Sequence, residues 1–255
     1  MFGSIILFLS VYVATFLTLA YGEAAVGLPY PQAAALFAAI VATAFTVRVA
    51  EGGRWRVGLL VPPKIAATDF LLGVAFASAL VLIADALVLA SSSLRHVRGA
   101  GLPGLELVAV FIPAAVHEEI AFRGYVFQKL RAWNRGAAIG MTSALFGALH
   151  YNNRGITAIA MLNLFLAGVL LALAYERFER LWFPIGIHLA WNLLSGPILG
   201  YGVSGYVARA TLFRTAGSGP AWITGGLFGI EGSVWMAAVE AGGIFLLRGR
   251  LKRVQ

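Results

Sequence analysis

What most constrains this chain is a succession of apolar runs, most of them about twenty residues or longer, enough as helix to cross ~30 Å of hydrocarbon. They fall at about residues 3–21, 32–50, 65–90, 105–128, 137–151, 156–175, 181–199 and 233–247. Apolar positions inside them are continuous and do not alternate with period two, so helices are expected and not barrel strands. With 60% hydrophobic and 12% charged residues among 255, the composition excludes an ordinary soluble domain. The expectation is an all-α polytopic membrane protein of about eight transmembrane helices, a single integral-membrane domain over 1–255. The first run lacks a basic start and is too long for a leader, so it reads as an uncleaved helix.

Charge then sets orientation. The net charge of +8 would suit nucleic acid, but the basic residues sit between apolar runs and so report membrane topology; no nucleic-acid partner is expected. Counted over alternate loops, Lys and Arg divide 13 to 5, with Arg123 left out as intramembrane. The richer side includes Arg48, Arg54, Arg56, Lys129 and the tail residues Arg250, Lys252 and Arg253; the poorer side holds Arg95, Arg98, Arg154, Arg209 and Arg214. The positive-inside rule puts both termini in the cytoplasm of a multi-pass cell-membrane protein. Pro29 and Pro31 punctuate the first loop, and Glu51 to Lys64 reads as an interfacial segment. There is no cysteine, which excludes disulfides, thiolate nucleophiles and cysteine metal sites.

Against that apolar background, Val116-His117-Glu118-Glu119-Ile120-Ala121-Phe122-Arg123-Gly124-Tyr125 stands out. A charge at mid-bilayer costs from about 2.5 to more than 10 kcal/mol, so packing alone does not account for such a cluster. Glu119 and Arg123 are four apart and share a helix face, the spacing of an internal ion pair. Glu118 lies about 100° round the helix, free for another task. Phe146 with His150, and His188 with Asn192, repeat the four-residue spacing on two further helices. A carboxylate and two histidines on separate helices, with one side-chain amide, can activate a water and hold a developing oxyanion.

Blander readings stand beside this one. The glutamates suit a structural ion-pair network, His150 an interfacial helix end, and His188 with Asn192 interhelical hydrogen bonds. His117 reads as structural, because nothing at helical spacing completes it. Asp85 falls where it reaches the headgroups and is given no role. Glu240 needs either a proton or a partner. Each bland reading is credible singly, but all would have to hold in one chain.

Glu118-Glu119-x-x-x-Arg123, Phe146-x-x-x-His150 and His188-x-x-x-Asn192, in this order on the fourth, fifth and seventh runs, resemble the signature motifs of the CPBP family. These are type II CAAX prenyl endopeptidases, named for CAAX proteases and bacteriocin-processing enzymes. The resemblance covers about 105–200, the expected catalytic core. It implies intramembrane endoproteolysis, with Glu118 and His150 activating the attacking water, His188 and Asn192 forming the oxyanion hole, and Glu119, Arg123 and Phe146 supporting them. It further implies a membrane-associated peptide or protein substrate cut near its C-terminus, prenylated in eukaryotic and archaeal relatives, with lipid as the surrounding partner. No cofactor is expected. A zinc reading would use Glu118, His150 and His188, but the chain lacks the His-Glu-x-x-His spacing and Asn192 would be idle in it.

Depth presents a difficulty. Measured from the basic loops at 1.5 Å per residue, Glu118 lies at about 16 Å, His188 at about 10 Å and His150 at about 21 Å, too far apart for one site. The polar positions are expected towards the cytoplasmic half, which disfavours a transporter; a non-catalytic scaffold or immunity protein is the alternative to an enzyme.

Overall fold

The computed structural model describes residues 1–25, 27, 30–55 and 57–248. Pro29 of the first loop, Arg56 of the interfacial segment and the tail residues Arg250, Lys252 and Arg253 lie outside the described residues.

Helices carry the fold: α1 (Phe2–Ala25), α2 (Pro31–Ala50), α3 (Pro63–Ser91), a helical rod α4 (104–133), α5 (Arg135–Leu149), α6 (Ala158–Phe178), α7 (Trp182–Leu193) and α8 (Val234–Arg248). Between α3 and α4 lies β1 (Arg95–Arg98), which pairs antiparallel with β2 (Phe213–Ala216), Arg95 facing Ala216. Helical turns at Ala221–Thr224, Gly226–Phe228 and Ile230–Gly232 lead into α8.

Among the described residues, α1, α2, α3 and α6 are each long and apolar enough to cross a membrane. The remaining runs form helices but fall short of that measure. α5 and α8 have 15 residues each and α7 has 12, against the ~20 that a full span needs. α4 is not a uniform α-helix either. It alternates α-helix (Ile112–Glu118, Phe127–Trp133) with π-helix (Leu107–Phe111, Glu119–Val126). Pro113 has no N–H for the carbonyl four residues back, and the chain widens into a π-turn just before it. α7 likewise runs into a π-turn, Leu194–Ile198, that holds Pro197.

The bundle has two unlike ends. At one, ion pairs tie the helix termini together: Lys129–Glu51 at 2.7 Å, Arg135–Glu176 at 2.6 Å, Arg131–Glu179 at 2.6 Å and Arg180–Asp69 at 2.5 Å. At the other, the β1–β2 ribbon and the 199–233 segment form a cap. Glu106 at the start of α4 accepts from Tyr206 Oη (2.9 Å) and the Arg209 N–H (3.0 Å). Asp85, expected among headgroups, belongs to this cap instead. It is 7% exposed, accepts from Tyr201 Oη at 2.7 Å and pairs with His96 Nε2 at 2.9 Å.

The two larger hydrophobic clusters hold most of the helices together. One joins α3, α6, α7 and α8 through residues such as Val81, Leu170, Ile187 and Met236; the other joins α1, α2 and α4 through Phe8, Ala42 and Tyr125. Lipid is as apolar as leucine, so association relies on close contact between small residues. α3 and α7 cross at Gly73 and Gly186. A Cβ on Gly186 would lie 2.3 Å from the Phe70 carbonyl oxygen, and one on Gly73 only 2.2 Å from that of Phe183. α7 carries two of the candidate site residues, so this crossing sets their height. Gly186→Val forces the two backbones apart and is expected to cost at least ~1–3 kcal/mol, read as a lowered thermal midpoint in detergent; an unchanged midpoint would show that the crossing does not govern stability.

Candidate active site

The site grows from Glu119 and Arg123, both 0% exposed. Arg123 Nη1 donates to Glu119 Oε1 at 3.0 Å, and Nη2 donates to the Gly168 carbonyl of α6 at 3.2 Å. Its guanidinium also lies 5.0 Å from the centre of the Phe146 ring and 5.5 Å from that of Phe122. Gly168 permits this because α5 passes so near that a Cβ there would meet Ser143 at 2.7 Å. The ion pair therefore touches α4, α5 and α6 together.

His188 is the next link. Its Nδ1 lies 2.8 Å from Glu119 Oε1 and its Nε2 3.8 Å from Glu118 Oε2. A carboxylate only accepts, so Nδ1 carries the proton and Nε2 faces Glu118. One turn on, Asn192 is 7% exposed and lines the same cavity as His188. His150 caps the C-terminus of α5 and its Nδ1 donates to the Phe146 carbonyl at 2.7 Å, leaving Nε2 as the ring's reactive nitrogen. The Phe146 ring sits 4.9 Å from the His150 ring and 6.1 Å from the His188 ring. The Phe146-x-x-x-His150 spacing thus fixes one tautomer and stacks one phenyl ring against Arg123 and both imidazoles.

Glu118, His150, His188 and Asn192 line one cavity of about 250 Å³. Glu118 Oε2 has no hydrogen-bond partner in the protein. A second, mostly apolar cavity of about 270 Å³ lies between α1, α4 and α5 and meets the first at His117, Glu118, His150 and Asn153.

Between Glu118 and His150 the depth difficulty disappears because α4 does not stop at Lys129, while His188, 3.8 Å from Glu118, lies deeper than a count from the basic loop places it. Lys129 is 8% exposed, bound to Glu51 and 3.6 Å over the Trp55 ring, so its charge does not end the helix and α4 continues to Trp133. Glu118 is then roughly 22 Å from that end, level with His150 at the far end of a 15-residue α5. The expected placement in the more basic half is corrected: the cavity runs from mid-bundle towards the β1–β2 cap. His117 donates from Nδ1 to the Pro113 carbonyl at 2.9 Å, as a structural histidine would, yet its ring also lines both cavities.

The lining also extends beyond the 105–200 core, to Gln32, Val203, Ser204, Tyr206, Glu231 and Glu240. Glu231 is the main residue that sequence reasoning missed. It accepts from Trp191 Nε1 at 3.0 Å, from Ser204 Oγ at 3.0 Å and from the Ser204 N–H. Asn163 Nδ2 donates to the Glu231 and Ser233 carbonyls at 2.6 and 2.8 Å. The available signal was one carboxylate in a Gly-rich stretch, Gly229-Ile230-Glu231-Gly232, which periodicity does not reach. Glu240 lines the cavity from α8, 1% exposed, with Oε2 unpartnered in the protein.

The zinc reading needs three donors turned to one point. No group of three His, Asp or Glu side chains able to hold a metal ion occurs among the described residues.

Residues 100–194 match the family described as type II CAAX prenyl endopeptidase, Rce1-like. A 24.3 kDa protein of Escherichia coli, described as uncharacterized, is 33% identical over 88 residues, 33% of this chain and 40% of that protein. The chain thus covers less than half the length of that relative. No solved structure matches the chain. The matched segment contains all seven signature residues, from Glu118 to Asn192.

Glu119→Gln and Arg123→Ala each leave the opposite charge buried without its counter-ion. Breaking a buried pair typically costs about 3–5 kcal/mol, so both variants should unfold at clearly lower temperature in detergent. Wild-type thermal midpoints in both would show that the pair does not hold the bundle.

Proposed function

We propose that this chain is an intramembrane endopeptidase of the CAAX-protease type that hydrolyses a peptide bond near the C-terminus of a membrane-associated polypeptide. The observation that carries the reading is Glu118. Its carboxylate faces a cavity beside the His150 and His188 imidazoles, while its neighbour Glu119 is 0% exposed, lines no part of that cavity and accepts from Arg123 and His188 on Oε1. Two adjacent carboxylates thus have different environments, one structural and one available for proton transfer.

In this mechanism a water held between Glu118 and His150 Nε2 loses a proton to Glu118 as its oxygen bonds to the scissile carbonyl carbon. The carbonyl becomes an oxyanion. His188 in its imidazolium form donates Nε2–H to it, with Nδ1–H anchored on Glu119, and Asn192 Nδ2 supplies a second donor. The C–N bond then breaks, and the proton on Glu118 passes to the leaving nitrogen. Phe146 and the Glu119–Arg123 pair hold the imidazoles in place. The second cavity, walled by Phe8, Leu9, Tyr12, Phe122, Leu145 and Leu149, gives a membrane-embedded segment a lateral approach to Glu118. None of the ion-paired residues at the basic end lines the main cavity, which argues against a transport path. Both termini are assigned to the cytoplasm, with α4, α5, α7 and α8 completing about eight crossings.

Glu118→Gln, His150→Ala and His188→Ala should each abolish cleavage of a membrane-embedded reporter peptide while the protein still inserts and purifies. Asn192→Ala removes one oxyanion donor and should cost about 2.7–4 kcal/mol, a hundred- to thousand-fold in rate. A scaffold would show no cleavage in the wild type.

The same mechanism requires no transition metal. Protein stripped by exhaustive chelation should retain its turnover and carry no stoichiometric zinc by elemental analysis. Activity lost on stripping and restored by zinc would overturn the glutamate mechanism.

A further inference from the structure

We propose that the cavity opens to the extracytoplasmic face, and that the substrate is an exported or membrane-anchored polypeptide presented from that side; this rests on the peptidase reading of the same site. Two independent observations meet here. The first is the shape of the cavity. Its partly exposed rim is formed by Gln32 at the start of α2, Asn153 after α5, and Ser204 and Tyr206 in the cap. All four lie at the β1–β2 end of the bundle. Its inner end is lined by Leu170, Leu171, Ile187 and Glu240, and neither Glu119 nor Arg123 lines it.

Beneath that pair the bundle is closed. Arg123, Tyr125, Phe127 and Leu181 are each 0% exposed, and Leu130 is 5% exposed. Below them come the ion pairs Lys129–Glu51, Arg135–Glu176 and Arg180–Asp69. None of these ion-paired residues lines the cavity. A cytoplasmic tail arriving at this end would meet a braced wall about 20 Å from Glu118.

The second observation is charge. Among the described residues the braced end carries nine of the Lys and Arg outside the bundle interior (Arg48, Arg54, Lys64, Lys129, Arg131, Arg135, Arg177, Arg180 and Arg248) against five at the other, and the positive-inside rule assigns that end to the cytoplasm. The open rim is then extracytoplasmic. The cap adds to the argument, because Glu231 and Glu106 together hold the 203–209 stretch across the rim. An extracytoplasmic segment of the protein itself therefore shapes the mouth of the site.

The chain has no cysteine, so single introduced thiols report access without any need for turnover. Ala114→Cys and Ala167→Cys place small thiols inside the cavity. Val207→Cys on the cap and Trp133→Cys at the basic end, with parent residues 59% and 58% exposed, report orientation. An impermeant methanethiosulfonate applied to intact cells should label positions 114, 167 and 207, and reach 133 only in inside-out vesicles. Two cavity variants guard against misfolding of either. The proposal is overturned if 133 is labelled in intact cells, if the cavity thiols react only in inside-out vesicles, or if they react from neither face. If peptidase activity fails while the cavity thiols label from outside, the reaction is wrong and the face is right.

Discussion

A guanidinium and a carboxylate, both with no exposure, sit where α4, α5, α6 and α7 meet, and the remaining architecture answers to them. Neither charge is tolerable alone in a low-dielectric interior. Glu119 therefore takes two donors on one oxygen, Arg123 and His188, and Arg123 spreads its charge over the Gly168 carbonyl and two phenyl faces. Each contact fixes a helix. The Gly168 bond sets the height of α6, the Phe146 ring sets α5, and the His188 bond sets α7. Glu118, one residue away, needs no part in this network, and that freedom makes it the candidate base.

Close backbone approach is the second constraint. Gly73 and Gly186 let α3 and α7 touch, and Gly168 does the same for α5 and α6. The π-turns in α4 and α7 belong to the same logic. They stand beside Pro113 and Pro197, where the α-ladder is already interrupted, and the second π-stretch of α4 begins at Glu119 itself. Wider turns of this kind are concentrated at functional sites because they re-aim side chains without ending the helix.

The 199–233 segment behaves as part of the site and not as a connector. Its turns are held by side chains from three helices: Glu106 on α4, Trp191 on α7 through Glu231, and Asn163 on α6. Asp85 extends the anchoring to α3 through Tyr201. The cap thus shapes the mouth of the cavity with polar contacts, while the opposite end of the bundle is closed with ion pairs.

Much of this was legible in the residues. The helical, membrane-embedded class follows from the length and continuity of the apolar runs. The pairing of Glu119 with Arg123, and the neighbourhoods of Phe146 with His150 and His188 with Asn192, follow from four-residue spacing, because a helix brings such positions onto one face. The number of full-length spans did not follow, since α7 is shorter as a helix than as an apolar run, α5 and α8 have only 15 residues each and α4 changes its winding. The end of α4 was misplaced because a buried lysine with a carboxylate and an indole for company looks, in sequence, like a loop charge. Asp85 and Glu231 gave no signal of their importance, because their partners lie 116 and 40 residues away in the chain. Local spacing is written in the sequence and fixes which side chains share a helix face. Which faces meet, how deep they sit and towards which end the cavity opens depend on contacts between distant segments, and only the tertiary structure decides those.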